Sequence, residues 1–118
     1  MRQAIADAER GTTGRIRIEI IARAGGRDLL ELARLHFRKH PGNGHHVLVL
    51  ISHLDHRFAI WGEADIDARS GRALWESASH ALATRFRERR YADGIEECVR
   101  LIGRDLVRLF PKRDPHAR

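Results

Sequence analysis

The sequence predicts an α/β domain in which one small mixed sheet lies between helical layers, and three observations carry that prediction. The run Val47-Leu48-Val49-Leu50-Ile51 is apolar without interruption, the pattern of a strand buried on both faces. Arg57-Phe58-Ala59-Ile60-Trp61 reads as a second strand, separated from the first by the polar Ser52-His53-Leu54-Asp55-His56, a connection of hairpin length. The other segments carry helical or alternating periodicity, with apolar stripes suited to covering this hairpin.

Taken in order, Arg2–Arg10 carries Ala4, Ile5 and Ala8 at helical spacing and ends at Gly11, read here as a left-handed terminator. Thr12-Thr13-Gly14 is a turn. Arg15–Ile21 alternates, with Ile16, Ile18 and Ile20 on one side and Arg15, Arg17 and Glu19 on the other, as in a strand near a sheet edge. After Gly25-Gly26, Asp28 and Glu31 have the spacing of a capping box. Leu30, Ala33 and Phe37 then form a stripe, and Pro41-Gly42-Asn43-Gly44 ends the helix. Strand, helix, strand makes a βαβ unit, so the first two strands are expected parallel with a right-handed crossover, and the hairpin sets the third antiparallel to the second.

Beyond Gly62 the chain is expected to leave the sheet through a loop, Glu63–Arg69, before a long helix over Ser70–Arg90 with Leu74, Trp75, Ala78, Leu82 and Phe86 inward. Asp93 and Glu96 have the spacing of a second capping box. Ile95, Cys98, Val99, Ile102, Leu106 and Leu109 mark the stripe of a last helix, which Pro111 stops. Residues 1–111 form one domain and 112–118 a basic tail, with no repeats or linkers.

A chain of 118 residues, 42% hydrophobic, buries roughly two thirds of its unfolded surface. Its apolar runs are too short to cross a bilayer, and Met1–Arg10 lacks the apolar region of a signal peptide. The lone cysteine, Cys98, has no internal partner and suits a reducing compartment. A cytosolic location is therefore expected. The formal charge is +6, and the only lysines among 22 basic residues are Lys39 and Lys112. Such an excess can draw nucleic acid, anionic lipid or acidic proteins. The arginines are interspersed with carboxylates, however, and a preference for arginine also follows from the base composition of coding DNA. The expected partner is a protein, not nucleic acid, with room for peripheral contact with a membrane protein or an anionic surface.

The order and spacing of several short pieces resemble the TPM domain family, in its short soluble bacterial branch. These are Ala4-Ile5 with Ala8-Glu9 and Thr12-Thr13-Gly14; Asp28, Ala33 and Phe37; Asp55-His56-Arg57-Phe58-Ala59-Ile60 with Gly62; Trp75; Phe86-Arg87; Tyr91-Ala92-Asp93-Gly94-Ile95; Ile102-Gly103; and Phe110-Pro111. The resemblance implies a three-layer αβα sandwich with a small mixed sheet. It also brings in the calcium binding and acid phosphatase activity described for some members, while others sit in membrane proteins or assist photosystem repair. Fold transfers along such a likeness better than activity. Two departures bear on a site. Members usually carry an acidic residue where this chain has Arg15, and Asn-Gly where it has His45-His46.

With the expected strand directions, the exit of the third strand lies beside the entries of the first two. Thr13, Arg15, Asn43, His45 and His46 then form a candidate cleft. Glu63, Asp65 and Asp67 would add carboxylates at alternate positions, the oxygen donors that a Ca²⁺ ion needs, although the EF-hand glycine and terminal glutamate are missing. The competing reading makes Asp67 or Ser70 a helix cap and leaves Glu63 and Asp65 solvated. Adjacent strand residues point to opposite faces, so at most one of His45 and His46 can serve a common site. His36 and His40 are four apart, a spacing compatible with a metal pair but without a third ligand. A phosphatase would also need a phosphate clamp, Arg57 or Arg15. Cys98 reads as an inert core thiol. Arg100, Arg104 and Arg108 recur every fourth residue as a candidate basic patch, against the alternative of a solvated outer face. Two readings follow. One is a non-catalytic interaction module; the other is a calcium-dependent phosphatase using Glu63–Asp67. Arg15 favours the first, because a guanidinium repels a cation where a carboxylate would hold it.

Overall fold

The computed structural model describes residues 2–40 and 44–112, with the side chains of all of these except 2, 64, 65 and 67–75. The elements run α1 (Arg2–Glu9), β1 (Arg15–Ile21), α2 (Leu29–Lys39), β2 (His46–Ser52), β3 (Arg57–Gly62), α3 (Ala64–Arg87) and α4 (Tyr91–Leu109). The sheet order is β1-β2-β3. β1 pairs parallel with β2, Arg15 opposite His46, and β2 pairs antiparallel with β3, Val47 opposite Gly62. Both pairings follow from the βαβ unit and the hairpin.

Alternation along the central strand divides the core in two. Val47, Val49 and Ile51 join Ile16 and the inner stripes of α3 and α4, while Leu48 and Leu50 meet Ala33 and Phe37 of α2 on the other side. Val47 to Leu50 are fully enclosed, as an apolar run in a middle strand requires. α2 covers one face of the sheet, and α1, α3 and α4 cover the other. The result is the three-layer αβα sandwich.

Several local expectations give way to tertiary packing. α3 begins at Ala64 with Glu63 as its N-cap, so the segment expected as a loop is the first turn of the helix. The helix ends at Arg87, and Arg89 in the following turn has φ +59°. In α2 the buried stripe is Leu29, Leu32, Ala33 and Phe37, and Leu30 is 52% exposed. Asp28 caps the Glu31 amide as expected, at 3.1 Å, but the Glu31 carboxylate pairs with Arg34 and does not reach back. The second capping box does not form. α4 starts at Tyr91, its N-cap Arg90 makes no side-chain cap, and Asp93 pairs with Arg90 at 2.8 Å. Gly11 is not left-handed; among the described glycines, Gly25, Gly26 and Gly44 have positive φ.

Candidate functional site

The three connections expected at one rim do meet there. The Arg15 amide donates to the His45 carbonyl at 3.1 Å, and the Glu63 amide donates to the His46 carbonyl at 3.1 Å. Thr13, Arg15, His45, His46 and Glu63 are thus neighbours. Asn43 lies outside the described residues, as do the side chains of Asp65 and Asp67. The backbone at Asp65 and Asp67 is helical.

Glu63, Glu9 and Arg15 at this rim already have structural work. The Glu63 carboxylate accepts the amides of Gly44 and His46, both through Oε1 at 2.9 Å. This explains why α3 starts without a side-chain cap: its N-cap residue turns back to the entry of β2. The Glu9 carboxylate accepts the Ile16 amide at 2.7 Å. Arg15 directs its guanidinium onto the Thr12-Thr13-Gly14 turn, donating to the Gly14 carbonyl at 2.9 Å and the Thr12 carbonyl at 3.5 Å. A cation approaching these carbonyl oxygens would meet a fixed positive charge.

The paired histidines separate, as adjacent strand residues must. The His45 ring stacks on Phe110 with centroids 3.9 Å apart, and its Nδ1 lies 2.9 Å from the Thr13 hydroxyl. The His46 ring stands edge-on to Phe37 on the α2 side, 6.1 Å away. Its Nδ1 is buried with no hydrogen-bond partner among the described residues. Burial holds the His46 pKa below its usual range, with Arg17 and Arg15 adding to the shift and Glu63 and Glu9 opposing it.

Thr12 shows what the Thr-Thr-Gly turn does here. Its buried hydroxyl accepts the Gly14 amide at 3.0 Å and lies 2.6 Å from the Phe110 carbonyl and 2.9 Å from that of Leu106, both acceptors at the end of α4. Thr12 also bridges to Pro111, and the Lys112 amide donates to Gly11 at 2.9 Å. The turn fastens the two ends of the domain together.

The remaining sequence candidates lie apart from the rim. Arg57 pairs with Ser52 at the opposite end of the sheet, so it cannot share a phosphate with Arg15. Nδ1 of His36 lies 2.7 Å from Glu19, while His40 is the C-cap of α2. Partial burial pushes the Glu19 carboxyl up, but hydrogen bonds from Arg17 and His36 outweigh it and leave its pKa lowered. Among the described residues no three His, Cys, Asp or Glu side chains group as a metal-ligand set. Burial pushes the Cys98 thiol up to about 12, which makes it a poor nucleophile.

The expected basic patch lies partly in a groove of about 700 Å³ along α4, walled by α1 and the end of α3. Arg100 and Arg104 line it, and Arg108 does not; Arg108 approaches Asp105 at 3.7 Å. Arg85 and Arg90 join the lining, and so do Asp7, Asp93, Glu96 and Glu97. The patch read from the sequence as basic is a mosaic of both signs. The spacing on α4 pointed to its arginines, but only the fold brings in Asp7 from α1 and Arg85 from α3.

The family model for the TPM domain matches residues 1–105. No curated protein matches the sequence. Among solved structures, the fold is similar to the NMR structure of the BA42 protein from the psychrophilic bacterium Bizionia argentinensis. The TM-score is 0.85 at 23% identity, covering 98% of this chain and 81% of that one. The N-terminal domain of a protein from P. gingivalis gives a TM-score of 0.78 at 18% identity, covering 98% and 78%. The N-terminal domain of the cg2496 protein from Corynebacterium glutamicum gives 0.72 at 14% identity, covering 88% and 67%. Among the described residues no helix is long and apolar enough to cross a membrane.

Proposed function

The chain belongs to the TPM domain family, and on that footing we propose that it works as a non-catalytic interaction module, holding a protein partner of mixed surface charge in the groove along α4. The observation that carries this reading is the mosaic lining. Arg85, Arg90, Arg100 and Arg104 are interleaved with Asp7, Asp93, Glu96 and Glu97 along the lining of a groove about 700 Å³ in volume. Interleaved charge of both signs suits a polypeptide surface with complementary pairs, and it offers no continuous cationic track for a phosphate backbone. The rim supports the same reading. Its described carboxylates accept backbone amides, and Arg15 sits on the turn carbonyls, so a cation at this rim would compete with hydrogen bonds of the fold.

The test compares capture of cellular proteins by the wild type and by Arg100→Glu/Arg104→Glu, two exposed positions whose change leaves the core intact. A partner retained by the wild type is expected to be lost from the double variant, and its retention to weaken with added salt. An identical captured set in both proteins contradicts the proposal. So does hydrolysis of a phosphomonoester by the wild type that falls in Glu63→Gln.

A further inference from the structure

A second hollow lies at the end of the sheet away from the rim, and it shares no lining residue with the α4 groove. Its volume is about 290 Å³, close to the lower bound of small-molecule sites, which run from about 300 to 1,000 Å³. Ile18, Ile20 and Ile51 supply the sheet side, and Phe86, Tyr91 and Ile95 the helical side. Ile20 is 64% exposed, the largest value among the exposed large apolar side chains described. Packing within the domain leaves this apolar surface uncovered.

Two further observations mark the hollow as more than a packing gap. It sits at the carboxyl ends of the two parallel strands: β1 ends at Ile21 and β2 at Ser52, and Ile20, Ile51 and Ser52 line it. Ligands of open α/β sheets bind outside those ends. The backbone around it is also strained. Among the described residues, only His56 and Arg89 are non-glycine residues with positive φ, +55° and +59°. His56 lines the hollow, and Arg89 lies in the chain between Phe86 and Tyr91 of its wall. Such conformations concentrate where a protein holds a ligand.

The polar groups of the lining define the head of that ligand. Among the described residues no aspartate or glutamate lines the hollow; its polar members are Ser52, His53, His56 and Tyr91. Ser52 is engaged, its hydroxyl donating to Asp55 at 2.6 Å, and Asp55 also accepts the Ala24 amide at 2.8 Å. The Tyr91 hydroxyl lies 3.1 Å from Nδ1 of His56. If the hydroxyl donates, Nε2 of the neutral ring carries the proton; if Nδ1 donates, the hydroxyl keeps its own. Either way the pair retains one donor for a third group. The turn before α4 carries the exposed Arg87 and Arg89, while its Glu88 is paired with Arg85 at 3.1 Å. A group that only accepts hydrogen bonds and bears negative charge suits these surroundings, and a carboxylate is such a group.

We propose that this hollow binds a small monocarboxylate, its apolar body among Ile18, Ile20, Phe86 and Ile95 and its carboxylate bonded by the His56–Tyr91 pair. Apolar area covered on the isoleucines supplies the affinity. The donor pair fixes the orientation and discriminates against a cationic head.

The probe is 3-phenylpropionate, titrated into the full chain and followed by amide and methyl NMR. Saturable shifts are expected at Ile18, Ile20, Tyr91 and Ile95. The matched cation 3-phenylpropylamine is expected to bind roughly tenfold or more weakly, a difference of about 1.4 kcal/mol. Ala92→Phe, at an exposed position on the lining, puts a ring into the hollow and is expected to keep the native spectrum and lose the probe. His56→Gly/Tyr91→Phe removes both donors, keeps the aromatic wall and gives the left-handed position to a residue that adopts it freely. In that double variant the acid is expected to weaken about tenfold. Arg100→Glu/Arg104→Glu is expected to bind the probe as the wild type does, which separates this site from the α4 groove. In the wild type, no saturable binding at millimolar probe, equal affinity for the amine, or shifts that spare Ile18 and Ile20 would each overturn the proposal. So would unchanged affinity for the acid in a folded Ala92→Phe or a folded His56→Gly/Tyr91→Phe.

Discussion

His46 sits in an environment that opposes the charged form of its side chain. An imidazole nitrogen buried without a partner disfavours the charged form, so the folded protein takes up that proton less readily than the unfolded chain does. The sign of the linkage follows. The contribution of His46 to stability is full above its ordinary value of 6.5, and it falls as pH drops through 6.5 toward the lowered folded value. His46→Phe is expected to flatten stability against pH across that window. Denaturant unfolding at a series of pH values checks this, and an NMR titration placing the His46 midpoint at or above 6.5 would contradict it. The carboxylates act lower on the scale. Glu19 and Asp55 both have lowered pKa values, so their contributions are present above their ordinary values and are lost as pH falls through the folded ones. The histidine and carboxylate windows therefore separate in one acid titration.

At the scale of elements, what the sequence made legible was periodicity. The apolar run of β2, the alternation in β1 and the stripe of α4 each follow from one repeat, and each is found where its repeat puts it. What it hid were positions settled by contacts distant in the chain. Glu63 follows Gly62 and precedes two aspartates, which reads as an acidic loop; in the fold its carboxylate bonds Gly44 and His46, and the helix starts at once. Leu29 and Leu30 are equally apolar, and only the placement of α2 on the sheet decides which is buried. The spacing of Arg100 and Arg104 marked a surface on α4, but its charge depends on α1 and α3. β1 could be read as near an edge, whereas the cavity beside Ile20 needs the hairpin and the α3–α4 turn together.

The α1–α4 contact tests this packing. A Cβ built on Gly103 would lie 2.5 Å from Cβ of Ala8 and 2.9 Å from its Cα, so the two helices approach as closely as a residue without a side chain allows. Gly103→Ala is expected to push α1 away from α4 at a cost of about 1–3 kcal/mol, the usual range for overpacking. A lower melting temperature with faster amide exchange in α1 is the expected outcome; an unchanged melt would show that α1 is not held there.

Across the whole molecule, the rim of the sheet works as a fastening. Thr12 and Thr13 tie the first turn to Phe110, and Gly11 holds Lys112. Glu9 secures the start of β1, and Glu63 secures the start of β2. Glu9, Arg15 and Glu63, the charged groups described at this rim, are groups that close the domain. The proposed recognition surface lies on the outside of the sandwich, along α4, and not at this end of the sheet. The most direct measurement is a thermal melt of the full chain with and without millimolar Ca²⁺, Mg²⁺ or Zn²⁺. An ion bound at one hundred times its dissociation constant would stabilise the fold by about 2.7 kcal/mol. An unmoved transition is expected for all three ions. A rise with any of them that disappears in Glu63→Gln would contradict it.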